Sequence, residues 1–80
     1  MKYSFKEFID ELSLGHEFEL QMKTEKFGIS WSKENKILLY FIPDGKPQIF
    51  SEINDFIENA EIEGKKFSEI WNSIIVNKQF

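Results

Sequence analysis

His16 is the one histidine of the chain, and with Glu17 and Glu19 it is the nearest approach to a metal-binding cluster. Catalytic metal sites usually take three convergent protein ligands. Glu17 and Glu19 alternate with Phe18 and Leu20, so they share the solvent side of a strand instead of closing around an ion. The plainer reading sets His16 just past a helix C-terminus, where a partial positive charge is favourable. No serine sits in a Gly-x-Ser-x-Gly elbow that would expose a nucleophile. The four glycines are isolated, so none builds a phosphate loop. There is no cysteine, which excludes thiolate zinc sites, disulfides and Cys nucleophiles. We expect no enzyme, no metal and no cofactor.

The other stretch that could act chemically is acidic. Residues 51 to 64 carry Glu52, Asp55, Glu58, Glu61 and Glu63 with no base, a local −5 against −4 for the whole chain. A paired-carboxylate hydrolase needs a cleft that so short a chain hardly offers. Charge runs are most often solvated faces that keep a small protein soluble. The functional reading is a docking surface for a partner protein with a basic surface, whose approach the carboxylates would speed. Tyr40, Trp31 or Trp71, if exposed nearby, would be the aromatic anchor. All ten bases are lysine. Lysine lacks the planar fork that suits phosphate and guanine, so an acidic, arginine-free chain is a poor nucleic-acid binder.

These residues ride on a pattern of short elements. Ser4-Phe5-Lys6-Glu7 is a capping box, and Phe5, Phe8, Ile9 and Leu12 repeat at helical spacing, which predicts a helix over residues 4 to 14. Gly15 is placed to end it in a left-handed cap. Phe18, Leu20 and Met22 alternate with polar residues, and so do Phe27, Ile29 and Trp31, giving two half-buried strands. Thr24-Glu25-Lys26 and Lys33-Glu34-Asn35-Lys36 are the turns around the second strand, with Asn35 suited to a left-handed conformation. Pro43-Asp44-Gly45-Lys46 is a strong turn signal. Gln48-Ile49-Phe50 makes a short strand, put at an edge by Pro47. Ser51 is the N-cap of a second helix with Ile53, Phe56, Ile57 and Ala60 on one face. Ile62 plugs the core from an extended link that Gly64 reverses. Phe67, Ile70, Trp71 and Ile74 then predict a third helix over residues 65 to 76, before a short tail.

The expected fold is a small single α+β domain: helix, four-stranded antiparallel meander, helix, helix. Its 80 residues make one domain, with nine Phe among thirteen aromatics for a core. The central strand is Ile37-Leu38-Leu39-Tyr40-Phe41-Ile42, which is apolar on both faces. Helices on both sides would cover it. If all the helices lie on one side, Leu38, Tyr40 and Ile42 become a bare face and the chain an oligomer-former. This six-residue run is the longest apolar one, far short of the roughly 20 that span a bilayer. The start has no long apolar segment to read as a signal peptide, so the cytoplasm is the expected location.

Phe27-Gly28-Ile29-Ser30-Trp31, Gln48-Ile49-Phe50 and Phe56 through Trp71, with Asn59-Ala60-Glu61-Ile62-Glu63-Gly64-Lys65 and Glu69-Ile70-Trp71 its most specific parts, carry a resemblance. Over residues 17 to 75 the chain resembles small uncharacterised proteins of low-GC Gram-positive bacteria and their phages. The resemblance implies an accessory or mobile-element protein of the inhibitor, immunity or anti-defence type. The leading expectation is therefore a non-enzymatic protein-interaction module, monomer or homodimer, that binds a partner protein through the acidic residues 51 to 64 with Tyr40. The alternative is homo-oligomerisation through an exposed sheet face around residues 37 to 42.

Overall fold

The chain enters its first helix at Ser4. In this computed structural model, which describes residues 3 to 42 and 45 to 80, Ser4 Oγ accepts the Glu7 N–H at 3.1 Å and the Glu7 carboxylate accepts the Ser4 N–H at 2.9 Å. That is the reciprocal capping box the motif predicts, and α1 runs Phe5–Ser13 behind it. Gly15, at φ 100°, ends the helix in the left-handed region.

The meander forms as its alternation requires. β1 (Phe18–Met22), β2 (Glu25–Trp31), β3 (Ile37–Ile42) and β4 (Gln48–Phe50) pair antiparallel in sequence order. The first turn is tighter than expected. Lys23 takes the left-handed conformation at φ 57°, and Glu25 already pairs opposite Met22. In the second turn Asn35 does take φ 62°. Ser32 Oγ accepts the N–H groups of Glu34 and Lys36 there. β4 is an edge strand with Pro47 just before it, so the missing N–H removes no ladder bond. Of the Pro43-Asp44-Gly45-Lys46 turn, the first two residues lie outside the described residues.

α2 (Ile53–Asn59) begins one residue later than expected. Its N-cap is Glu52, not Ser51. Ser51 is drawn away as a donor: its N–H and hydroxyl point to Asp55 Oδ2 at 3.0 and 3.3 Å.

The third helix does not form, and the described residues hold two α-helices. Residues 61 to 66 make a hairpin, β5 (Glu61–Ile62) with β6 (Lys65–Lys66), turned by Glu63 at φ 55° and Gly64 at φ 78°. Turns and one 3-10 turn (Trp71–Ser73) follow, and then β7 (Ile75–Gln79) pairs antiparallel with β1. The helical spacing of Phe67, Ile70, Trp71 and Ile74 is real, because successive turns also return side chains to one side. Ile70 N–H bonds Lys66 O, Ser73 N–H bonds Ile70 O, and Ile74 N–H bonds Trp71 O. Two forces end the winding. Ile74-Ile75-Val76 is a β-branched run that fits a pleated surface. β1, with β2 on one side only, offers a second row of backbone groups to be satisfied. The supposed tail thus becomes sheet, ending in reciprocal Glu17–Phe80 backbone bonds.

The sheet has five strands in the order β4-β3-β2-β1-β7. Phe8 and Phe56 share one aromatic cluster, with Phe50 and Phe18 meeting them from the sheet. Both helices and the small hairpin, through buried Ile62, therefore lie on the same face. Cover on both faces of β3, the expected arrangement, is not what forms. The indole N–H of Trp71 caps this layer on Tyr3 O at 2.7 Å, and the indole N–H of Trp31 reaches Leu12 O at 3.1 Å. Gln79 ties β7 to α1 by accepting from the Tyr3 hydroxyl and donating to Glu11 at 2.8 Å.

Candidate functional site

Alternation and register together define the uncovered face. Side chains opposite each other across strands share a side. Phe18, Leu20, Phe27, Ile29, Ile37 and Leu39 are buried on the helix side. Their neighbours in sequence point the other way, in three rows. Lys78, Glu19, Gly28 and Tyr40 run across β7, β1, β2 and β3. Ile75, Gln21, Lys26 and Ile42 run parallel to them. Ser30, Leu38 and Ile49 form the third row, reaching β4.

The face is therefore divided. Over β1 and β2 it is polar, as the exposed side of an antiparallel sheet ordinarily is. Over β3 and β4 it is apolar: Leu38 and Tyr40 are half-buried, Ile42 is 37% exposed and Ile49 58%. Ile75 adds an isoleucine, 58% exposed, at the β7 edge. Gly28 shapes the centre. A Cβ there would stand 2.7 Å from both Cζ and the hydroxyl of Tyr40, so the ring lies down across the glycine backbone.

The acidic segment does not assemble into one surface. Glu52 caps α2, Asp55 and Glu58 lie on it, Glu61 is in β5 and Glu63 in the turn. Asp55 is occupied locally by Ser51 and by Asn59 Nδ2 at 2.7 Å. The Ser51 N–H foremost, then the Asn59 amide, holds its carboxyl below the usual aspartate value. Glu61 stands opposite Lys66 in the hairpin, and Gln48 clamps its backbone with Nε2 to Glu61 O at 2.7 Å. Tyr40 is on the opposite side of the sheet from α2, so the expected grouping of the five acids with Tyr40 is split in two.

His16 turns away from Glu17 and Glu19. Its Nδ1 lies 2.9 Å from Phe80 O and its Nε2 3.8 Å from Glu11. Glu17 instead accepts the Trp31 N–H at 3.0 Å. Among the described residues no three His, Asp or Glu side chains are grouped to hold a metal ion. Three shallow hollows of about 300 to 340 Å³ open elsewhere. They lie beside Tyr3 and Trp71, beside Met22 and Ile62, and beside exposed Leu14 and Trp31, and His16 lines none of them. No helix is long and apolar enough to cross a membrane among the described residues.

Sequence reasoning singled out Tyr40 but not Ile49, Ile75 or Gly28. The signal for Ile49 was its alternation with buried Phe50; assigning its side needed the β3–β4 register. No family model, curated protein or solved structure matches the chain.

Proposed function

We propose that this protein is a non-enzymatic interaction module that engages a protein surface through the outer face of its sheet. The observation that carries the reading is the one-sided cover of β3 and β4. It leaves Leu38, Tyr40, Ile42 and Ile49 contiguous and, among the described residues, outside the packed core. Scattered apolar side chains on a surface are ordinary, whereas contiguous ones on a rigid sheet mark a contact site. A half-buried Tyr at the centre of such a patch is the type of residue that dominates contact energies. The acidic residues keep a secondary place. Glu52 and Glu58 are exposed and make no ion pair among the described residues, as on a solvated acidic face. The inhibitor, immunity or anti-defence role rests on the sequence resemblance alone.

A benzophenone amino acid placed at position 40 or 49 tests the reading in the cell that makes the protein. Covalent protein adducts are expected from both positions and not from position 6, exposed on α1 behind the sheet. Equal adduct yields from all three positions, or none from any, would refute it.

A further inference from the structure

We propose that the outer sheet face packs against the same face of a second copy of this chain, about a two-fold axis passing over β3. The inference rests on that face being the contact surface, and it names the occupant. Three observations point to a second copy.

The first is shape. None of the three hollows is lined by Leu38, Tyr40, Ile42 or Ile49, and the Tyr40 ring lies flat over Gly28. With that ring lying down, the face can take another sheet stacked about 10 Å away. A helix or an extended peptide is held by a groove or an edge.

The second is charge. The chain is acidic, with fourteen acids against ten lysines. The outward side of the sheet does not share this excess: Glu19, with Glu17 just before β1, stands against Lys26 and Lys78. Residues 51 to 64 with their five acids belong to the layer behind the sheet. Two copies repel one another through most approaches and least through this one.

The third is area. Five strands about 4.8 Å apart, most of them five to seven residues long, make a face of about 20 by 20 Å, or about 400 Å² in plan for each copy. Two such faces, with their side-chain relief, reach the low end of specific interfaces, near 1,000 Å² in all. A two-fold operator makes the contact self-complementary, so the apolar strip of one copy meets that of the other. Lys78, on the β7 edge strand, falls at the rim. A small interface of this kind gives a weak dimer.

Sedimentation equilibrium on the intact chain tests this, run from about 5 μM to about 1 mM at low and high salt. The expected mass rises from 9.6 kDa to twice that value, and association is unchanged or tighter in high salt because repulsion between acidic copies is screened. Ile49→Lys and Ile42→Lys should each raise the dissociation constant by at least about tenfold while far-UV circular dichroism is unchanged. Leu14→Ser, at an exposed apolar side chain that is not on this face, should leave it where it was. A mass of 9.6 kDa at the highest concentration, or a dimer insensitive to both face variants, overturns the proposal. If the chain stays monomeric while position 40 still cross-links to a different protein, self-association falls and the contact-face reading stands. If it stays monomeric and position 40 captures nothing, both fall.

Discussion

Replacing Phe8 by alanine measures how far this domain depends on its aromatic centre. Phe8 is fully buried, with ring centroids at 4.5 Å from Trp71, 4.9 Å from Phe18, 5.8 Å from Phe67 and 6.2 Å from Phe56. It therefore joins α1 to the sheet, to α2 and to the turns before β7. Removing its ring costs the transfer free energy of the lost carbons plus a cavity that the surrounding rings cannot close, about 3 to 5 kcal/mol. An 80-residue domain has only about 4 to 12 kcal/mol in total. The variant should melt roughly 12 to 40 °C lower, at about 4 to 8 °C per kcal/mol. Urea denaturation followed by Trp fluorescence reads the loss directly, since Trp71 lies against the deleted ring. Phe80→Ala is the control. That ring is 65% exposed, and its loss should stay within about 0.5 kcal/mol. If the alanine variant is unfolded at 25 °C, Phe8→Leu, which keeps most of the volume, should lose about 1 to 1.5 kcal/mol. A loss below about 1 kcal/mol for Phe8→Ala, or an equal loss for Phe80→Ala, would refute the placement of Phe8 at the centre.

Three further outcomes follow from the backbone and the carboxylates. Ser4→Ala should cost about 1 kcal/mol by removing the acceptor of the Glu7 N–H, and an unchanged urea midpoint would contradict the capping geometry. Glu7 and Asp55 are both held below their ordinary values of 4.5 and 3.8, chiefly by the N–H groups of Ser4 and Ser51. Their stabilising contribution is then present above those values and is lost as pH falls through the lower folded ones. Carboxyl chemical shifts followed against pH should show both midpoints below the ordinary values, and midpoints at or above them would be the contrary result. Gly64→Ala meets no atom within 4 Å, so its cost is the left-handed backbone alone, about 1 kcal/mol, and a variant as stable as the parent would show that the hairpin turn is wrongly drawn.

What could be read from the sequence was local. The capping box of α1, the strands alternating through Phe18–Met22 and residues 27 to 31, the left-handed Asn35 and the edge position of Gln48–Phe50 all follow from neighbours within a few residues. What could not be read was decided at long range. Residues 67 to 74 satisfy a helical pattern because turns and helices return side chains at similar intervals. Only the vacant edge of β1, more than fifty positions earlier, draws residues 75 to 79 into a strand. The candidate face has the same dependence. Tyr40 could be nominated from the two-sided character of Ile37–Ile42, but the Leu38–Ile49 pair needs register, and the bareness of both needs to know that α1 and α2 choose the same side. The acids misled for a related reason. Five charges in fourteen residues look concentrated along the chain, yet a cap, a helix, a strand and a turn disperse them in space.

The pairing of β7 with β1 also sets a timetable. Residues 18 to 21 leave the ribosome well before residues 75 to 79 that complete their ladder. At about 5 to 20 residues per second the interval is roughly 3 to 12 s. Throughout it β1 presents an open edge beside an apolar surface, and α1 has no β7 to fasten to through Gln79. The nascent chain thus spends seconds as a template for pairing with other chains. Pairing with residues 75 to 79 is what closes that edge.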